Sequence, residues 1–243
     1  MSADENTNLV LIVGESSTGK SASLMNLKNP EGVLYLNCEN NKRLPFKSKF
    51  GKEYSVTDPM VVPTIIADLE NRPEYHTAIV DTLTMLMDMF ESKYVLTSSD
   101  TRQAWQYYQQ YFKNMMQDQV AKSSKNLVFL AHTASFEDPM TLKSVVKVPV
   151  KGALARISIE ASFSSVIACK RVLLKDLEPY ENDLLTITPD DEALGYKHVY
   201  QVRLTKDTVN ERIRSPMGMW DIKETYINND LQLVLDRLHS FYS

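Results

Sequence analysis

Cysteine is scarce. Cys38 and Cys169 are the only two in 243 residues, and they stand in unrelated contexts. Two distant thiols exclude a disulfide framework and a cysteine-built metal site, and such usage suits a reducing compartment. Long apolar runs are missing as well: none approaches the roughly 18 residues of a membrane span, so no membrane partner is expected. The opening stretch, Met1 to Asn8, is polar and acidic and lacks the pattern of a signal or transit peptide, so a cytoplasmic setting is expected. Positive charge is not in excess. With 27 Lys and Arg against 31 Asp and Glu, the net charge of −4 excludes a global basic field, and any nucleic-acid contact must come from a local patch. Repeats and low-complexity tracts are absent too. What remains is 43% hydrophobic and 24% charged, ordinary for a globular chain, and residues 1–243 suffice for a single α/β domain with a substantial core.

Strand-like and helix-like segments alternate, which predicts a mainly parallel sheet covered by helices. Leu9 to Val13 is continuously apolar, as a strand buried on both faces must be. It runs into a turn at Gly14, and a helix is expected from about Gly19. Further strands are expected at Val33–Asn37, Ala78–Asp81, Asn126–Ala131, Val166–Leu174 and Tyr200–Thr205. Helices are expected at Val61–Asn71, with Pro63 near its start, and at Thr82–Tyr94, Arg102–Lys122 and Gly152–Ser162. A closing helix, Asp230–Phe241, places Leu231, Val234, Leu235 and Leu238 on one face. Phe136–Val150 reads as a loop or hairpin. Glu178–Lys197, acidic and turn-rich, reads as an exposed excursion.

Only seven glycines occur in the chain, yet two of them frame Gly14-Glu15-Ser16-Ser17-Thr18-Gly19-Lys20-Ser21, a full match to G-x-x-x-x-G-K-[ST]. The glycines let the backbone curl so that its N–H groups face phosphate oxygens. Lys20 is suited to the β- and γ-phosphates and the Ser21 hydroxyl to Mg²⁺. The pattern therefore predicts a P-loop that binds ATP with Mg²⁺. A second, acidic metal anchor is expected at the end of a nearby buried strand, and Asp81 fits, with Thr82 or Thr84 left to cap the following helix. The residue after Asp81 is Thr82 rather than Glu, so a water-activating carboxylate must come from elsewhere. Glu39, after the second expected strand, and His132, ending another, lie where strand ends converge in a parallel sheet.

Together these pieces resemble the RecA-like ATPases, and within them the short single-domain proteins of bacteriophages associated with DNA recombination and single-strand annealing. The resemblance covers Asn8 to His132 best. It implies a three-layer P-loop NTPase core, Mg²⁺-dependent ATP hydrolysis stimulated by DNA, Glu39 as catalytic base, Asp81 ending a third strand, and His132 as a polar sensor ending a fourth. Bacterial recombinases carry Gln at the sensor position. It also implies DNA-binding loops. From Pro139 to Ile159 there is no acidic residue, while Lys143, Lys147, Lys151 and Arg156 occur, a local patch suited to single-stranded DNA. A neighbour's Lys206, or Arg212 or Arg214, is implied to reach the γ-phosphate, so that a ring or filament is the active species. A single-strand-binding protein is an implied partner. Rival readings are a nucleotide-gated assembly or DNA-binding module with little turnover, and a P-loop kinase. A GTPase fits less well, because Thr205-Lys206-Asp207-Thr208 brings the Asp one place too early for Asn-Lys-x-Asp.

Overall fold

The computed structural model describes residues 8–137 and 144–243. Lys143 lies outside them. Eight strands form one sheet: β1 (Leu9–Gly14), β2 (Val33–Asn37), β3 (Lys52–Ser55), β4 (Thr77–Asp81), β5 (Asn126–His132), β8 (Ser165–Leu173), β9 (Tyr196–Gln201) and β10 (Tyr226–Asn228). Their order is β10-β9-β8-β1-β5-β4-β2-β3. The run from β3 to β8 is parallel, and β9 and β10 add antiparallel pairings at the far side. A separate hairpin joins β6 (Ala134–Glu137) to β7 (Ser144–Lys147), as the loop-or-hairpin reading allowed.

The central strands are apolar at successive positions because both faces are covered. Leu9, Leu11 and Val13 of β1 face α1 (Val61–Asp68), α2 (Leu83–Phe90) and α3 (Thr101–Asn114), with Val62, Leu86 and Phe112 in the same core. Val10 and Ile12 face the other way, onto Leu24, Leu27 and the helix α7 (Leu231–Tyr242). Leu231, Val234, Leu235 and Leu238 of α7 are buried there, so the expected apolar face is the one that packs. The chain is a P-loop NTPase core with a mainly parallel central sheet between helical layers.

Several elements differ from expectation. No α-helix follows the P-loop; a 3₁₀ turn, Ser21–Leu24, stands in its place. Asn29, left-handed at φ 48°, and Pro30 stop the chain, and β2 starts at Val33, so there is no length for a longer helix. In place of a full helix dipole behind the loop there is only this one tight turn. Helix α7 packs against that turn instead, and Lys28 pairs with Asp236 at 2.9 Å. The late strand runs Tyr196–Gln201 rather than Tyr200–Thr205, because it pairs with β8 from Leu173↔Tyr196 to Ala168↔Gln201. The helix expected over Gly152–Ser162 is α4 (Leu154–Ile157) plus a 3₁₀ turn, broken at Ser158, whose φ of 67° no α-helix accommodates. α5 (Leu174–Leu177) precedes the expected excursion Glu178–Lys197, which is itself not without order: Thr188 caps α6 (Pro189–Leu194) in a reciprocal capping box. The short edge strand β3 shifts the count, so Asp81 ends the fourth strand and His132 the fifth.

Candidate active site

Strand register assembles the site. Gly14 lies opposite His132 across β1 and β5, and Asn37 lies opposite Asp81 across β2 and β4. All four are at carboxyl ends of parallel strands, where the sheet opens onto the P-loop. Ser16, Ser17, Gly19, Lys20, Ser21, Glu39, Asp81 and His132 line a single cavity of about 380 Å³. Gly14, Glu15 and Thr18 line a second cavity of about 260 Å³ on the other flank of the loop.

The loop's two glycines are required by geometry. A Cβ on Gly14 would come within 2.5 Å of the Cys169 carbonyl oxygen, and Gly19 sits at φ +100°. Lys20 is buried, and its Nζ donates to the carbonyls of Gly14 at 2.9 Å and Glu15 at 2.8 Å. Burial lowers its pKa, and the carboxylates of Asp81 and Glu39 oppose that shift.

Lys20 Nζ also lies 3.3 Å from Nδ1 of His132, whose Nε2 is 2.9 Å from Oε1 of Glu39. An ammonium only donates, so Nδ1 accepts and Nε2 carries the proton given to Glu39. Thr84 Oγ1 accepts from the His132 backbone N–H at 3.2 Å, which fixes where the ring starts. Glu39 Oε2 accepts from Lys42 Nζ at 2.8 Å. The hydrogen bond from His132 leads the causes that hold the Glu39 carboxyl at about 2.

Asp81 is buried, and its Oδ2 accepts from the Ser21 hydroxyl at 2.8 Å and the Tyr35 hydroxyl at 2.7 Å. Burial raises its pKa despite these donors. Its Oδ1 is buried and has no hydrogen-bond partner among the described residues. A buried carboxylate oxygen left unmatched beside a serine hydroxyl suits a hard cation such as Mg²⁺. Thr82 caps α2, its side chain accepting from Met85 N–H, so capping does not occupy Asp81.

The remaining residues named from the sequence scatter. Lys206 and Arg214 are exposed, and Lys206 lies five residues beyond the end of β9 in a turn rather than just past the strand. Arg212 is exposed yet borders the smaller cavity with Glu15 and Thr18 of its own chain. Lys147 donates to the Ala155 carbonyl at 3.2 Å and lies over the Phe136 ring. Lys151 pairs with Glu91 at 2.5 Å, and Arg156 is exposed. These cations are not on one helix face, because β7 and a turn divide them.

Sequence reasoning missed Tyr35 and Lys42, and it named Thr84 only as a candidate helix cap, not as the acceptor for the His132 N–H. Tyr35 carried a usable signal, since a hydroxyl inside the apolar Val33–Asn37 strand needs a buried partner. Among the described residues, no helix is long and apolar enough to cross a membrane.

No curated protein matches the chain. A family model, the AAA domain, matches residues 6–151, more than half of the chain, and the match includes Lys20, Glu39, Asp81 and His132. With a complete phosphate-loop sequence, a parallel sheet that converges on it and a match of that extent, the chain belongs to the AAA domain family of P-loop ATPases.

Proposed function

We propose that the chain hydrolyses ATP with Mg²⁺ and couples that hydrolysis to single-stranded DNA, in recombination or annealing of the bacteriophage RecA-like kind. The observation that carries the hydrolytic part is the continuous path Lys20–His132–Glu39–Lys42. It links the lysine suited to the terminal phosphates with a carboxylate suited to orienting water. Ser21 and Asp81 would hold Mg²⁺, which when bound offsets charge on the phosphate oxygens. Lys20 moves its N–H donors from the Gly14 and Glu15 carbonyls to the phosphates. Glu39 orients the attacking water, and His132 passes the state of Lys20 to Glu39. The hairpin β6–β7 begins two residues after His132 and ends at Lys147, which supports a route from nucleotide to the basic segment. A neighbour's Lys206, Arg212 or Arg214 completes the site in a homo-oligomer.

Lys20→Ala removes the one buried cation of the loop and is expected to reduce ATP binding at least about a hundredfold, measured by titration calorimetry. Unchanged binding would rule out the phosphate role. The DNA reading is tested by ATP hydrolysis with and without single-stranded DNA. Stimulation is expected at low salt and should fall severalfold at moderate salt, as lysine–phosphate contacts release counterions. Turnover indifferent to DNA would turn the search to a protein or small-molecule substrate. A nucleotide-gated module with little turnover is the second reading. The low proton affinity of Glu39, held at about 2, favours it.

A further inference from the structure

A phosphate site built from backbone N–H groups has a built-in hazard, because every such amide is followed by a carbonyl whose oxygen repels phosphate. In a planar trans peptide the C=O of one residue and the N–H of the next point opposite ways. Fixing a carbonyl away from the phosphates therefore aims the next N–H toward them. In this loop, carbonyl after carbonyl is held. Gly14 O accepts from Lys20 Nζ and from Thr133 N–H, and Glu15 O accepts from Lys20 Nζ and the Thr18 hydroxyl. The next held carbonyls, those of Thr18 and Gly19, are gripped mainly from outside the loop.

Thr18 O lies 2.7 Å from Nδ1 of His198 and 3.0 Å from Sγ of Cys169. A carbonyl only accepts, so His198 donates Nδ1–H and its Nε2 is left for other partners. Burial pushes the Cys169 thiol up to about 12, so it keeps its S–H. Gly19 O accepts from Asn229 Nδ2 at 2.9 Å and from the Ser23 backbone N–H of the following turn at 3.0 Å, and Asn229 Oδ1 faces Cys169 Sγ at 3.2 Å. The three side chains come from neighbouring positions in the sheet: Cys169 on β8, His198 on β9, and Asn229 just after β10. All three lie beyond residue 151, where the family match ends. His198 and Asn229 also line the larger cavity. A Cβ on Gly19 would meet Asn229 Nδ2 at 2.7 Å, so the loop and this group are fitted to each other.

We propose that Cys169, His198 and Asn229 form a brace that turns the Thr18 and Gly19 carbonyls away from the nucleotide and so sets its affinity. They are positioning residues, acting through the N–H groups of Gly19 and Lys20. The inference rests on the reading of Gly14–Ser21 as the ATP site. It also makes β8 and the antiparallel strands β9 and β10 part of the nucleotide site, so that ATP binding tightens all three around the loop.

The test is calorimetric titration of the full chain with ATP and Mg²⁺, together with steady-state hydrolysis. Asn229→Leu and His198→Phe keep side-chain bulk but remove the donors. Each should weaken ATP binding about tenfold and raise KM to match, with kcat at saturation within about threefold. His198→Gln, which can donate again, should recover binding to within about threefold of the parent. If an apolar variant fails to fold by circular dichroism, Asn229→Asp replaces it, because it conserves volume and sets an acceptor against the Gly19 carbonyl. Folded variants that bind ATP within twofold of the parent overturn the brace. A fall in kcat with KM unchanged overturns it as well. If the parent itself binds no ATP, it is the P-loop reading that has failed, whereas a binding parent with equally tight variants defeats the brace alone.

Discussion

Glu39→Gln should lower ATP turnover at saturating nucleotide by about a hundredfold or more while leaving ATP affinity within about threefold. The carboxylate is placed by two donors, His132 Nε2 on one oxygen and Lys42 Nζ on the other. Its carboxyl, held at about 2, remains ionised throughout the neutral range. An acid that weak takes up a proton poorly, so its contribution lies in fixing the water's orientation and in its negative charge. Its basicity rises when His132 turns its N–H elsewhere, which would tie water activation to the position of Lys20. Gln keeps the shape but sets an amide where the carboxylate faced two donors. Stability should respond as well. The folded value lies below the ordinary 4.5, so the ionised group stabilises the fold above about pH 4.5, and that stabilisation is lost as pH falls toward 2. The variant should therefore melt lower than the parent at pH 7, and the gap should narrow below about pH 4.5 and close only near pH 2. Undiminished turnover would show that another group orients the water.

What could be read in advance follows from how each element is stabilised. β1, β2, β4 and β5 are buried on both faces, and burial of that kind writes itself as continuous apolar runs. Glu39, Asp81 and His132 were legible because a parallel sheet brings carboxyl strand ends together whatever the loop lengths. β3 was not legible: Lys52, Glu53, Tyr54 and Ser55 are all exposed, and only edge pairing to β2 makes them a strand. The missing P-loop helix was misjudged because motif and periodicity outweighed the stop at Asn29-Pro30. Tyr35, Thr84, His198 and Asn229 act through partners 46 to 210 positions away; a local pattern can show, as at Tyr35, that a partner is needed, but not which residue it is. The contacts of the basic segment were not legible either: a strand end and a turn send Lys147 to the Ala155 carbonyl and Lys151 to Glu91.

Asp81→Asn should produce opposite effects on stability and on nucleotide binding. Burial raises the Asp81 carboxyl above its ordinary 3.8. Its charge therefore costs stability at neutral pH, and that cost is relieved as pH falls through the raised value, the reverse of Glu39. Asn is the same size, and its oxygen still accepts from Ser21 and Tyr35, the two hydroxyls that now meet Oδ2. Without nucleotide, the variant should melt about 2–4 °C higher at pH 7, and the gain should shrink in acid. The thermal shift produced by ATP with Mg²⁺ should largely disappear, because the neutral amide no longer offers a buried charge to the metal. Turnover should fall about a hundredfold or more. The paired signs are diagnostic. A residue retained for packing would lose stability on substitution, whereas one whose charge the fold tolerates for a ligand gains it. If Asp81→Asn melts lower than the parent and keeps its full shift with ATP and Mg²⁺, Asp81 serves the fold as the acceptor for Ser21 and Tyr35, and the metal's anchor must be sought elsewhere around the cavity.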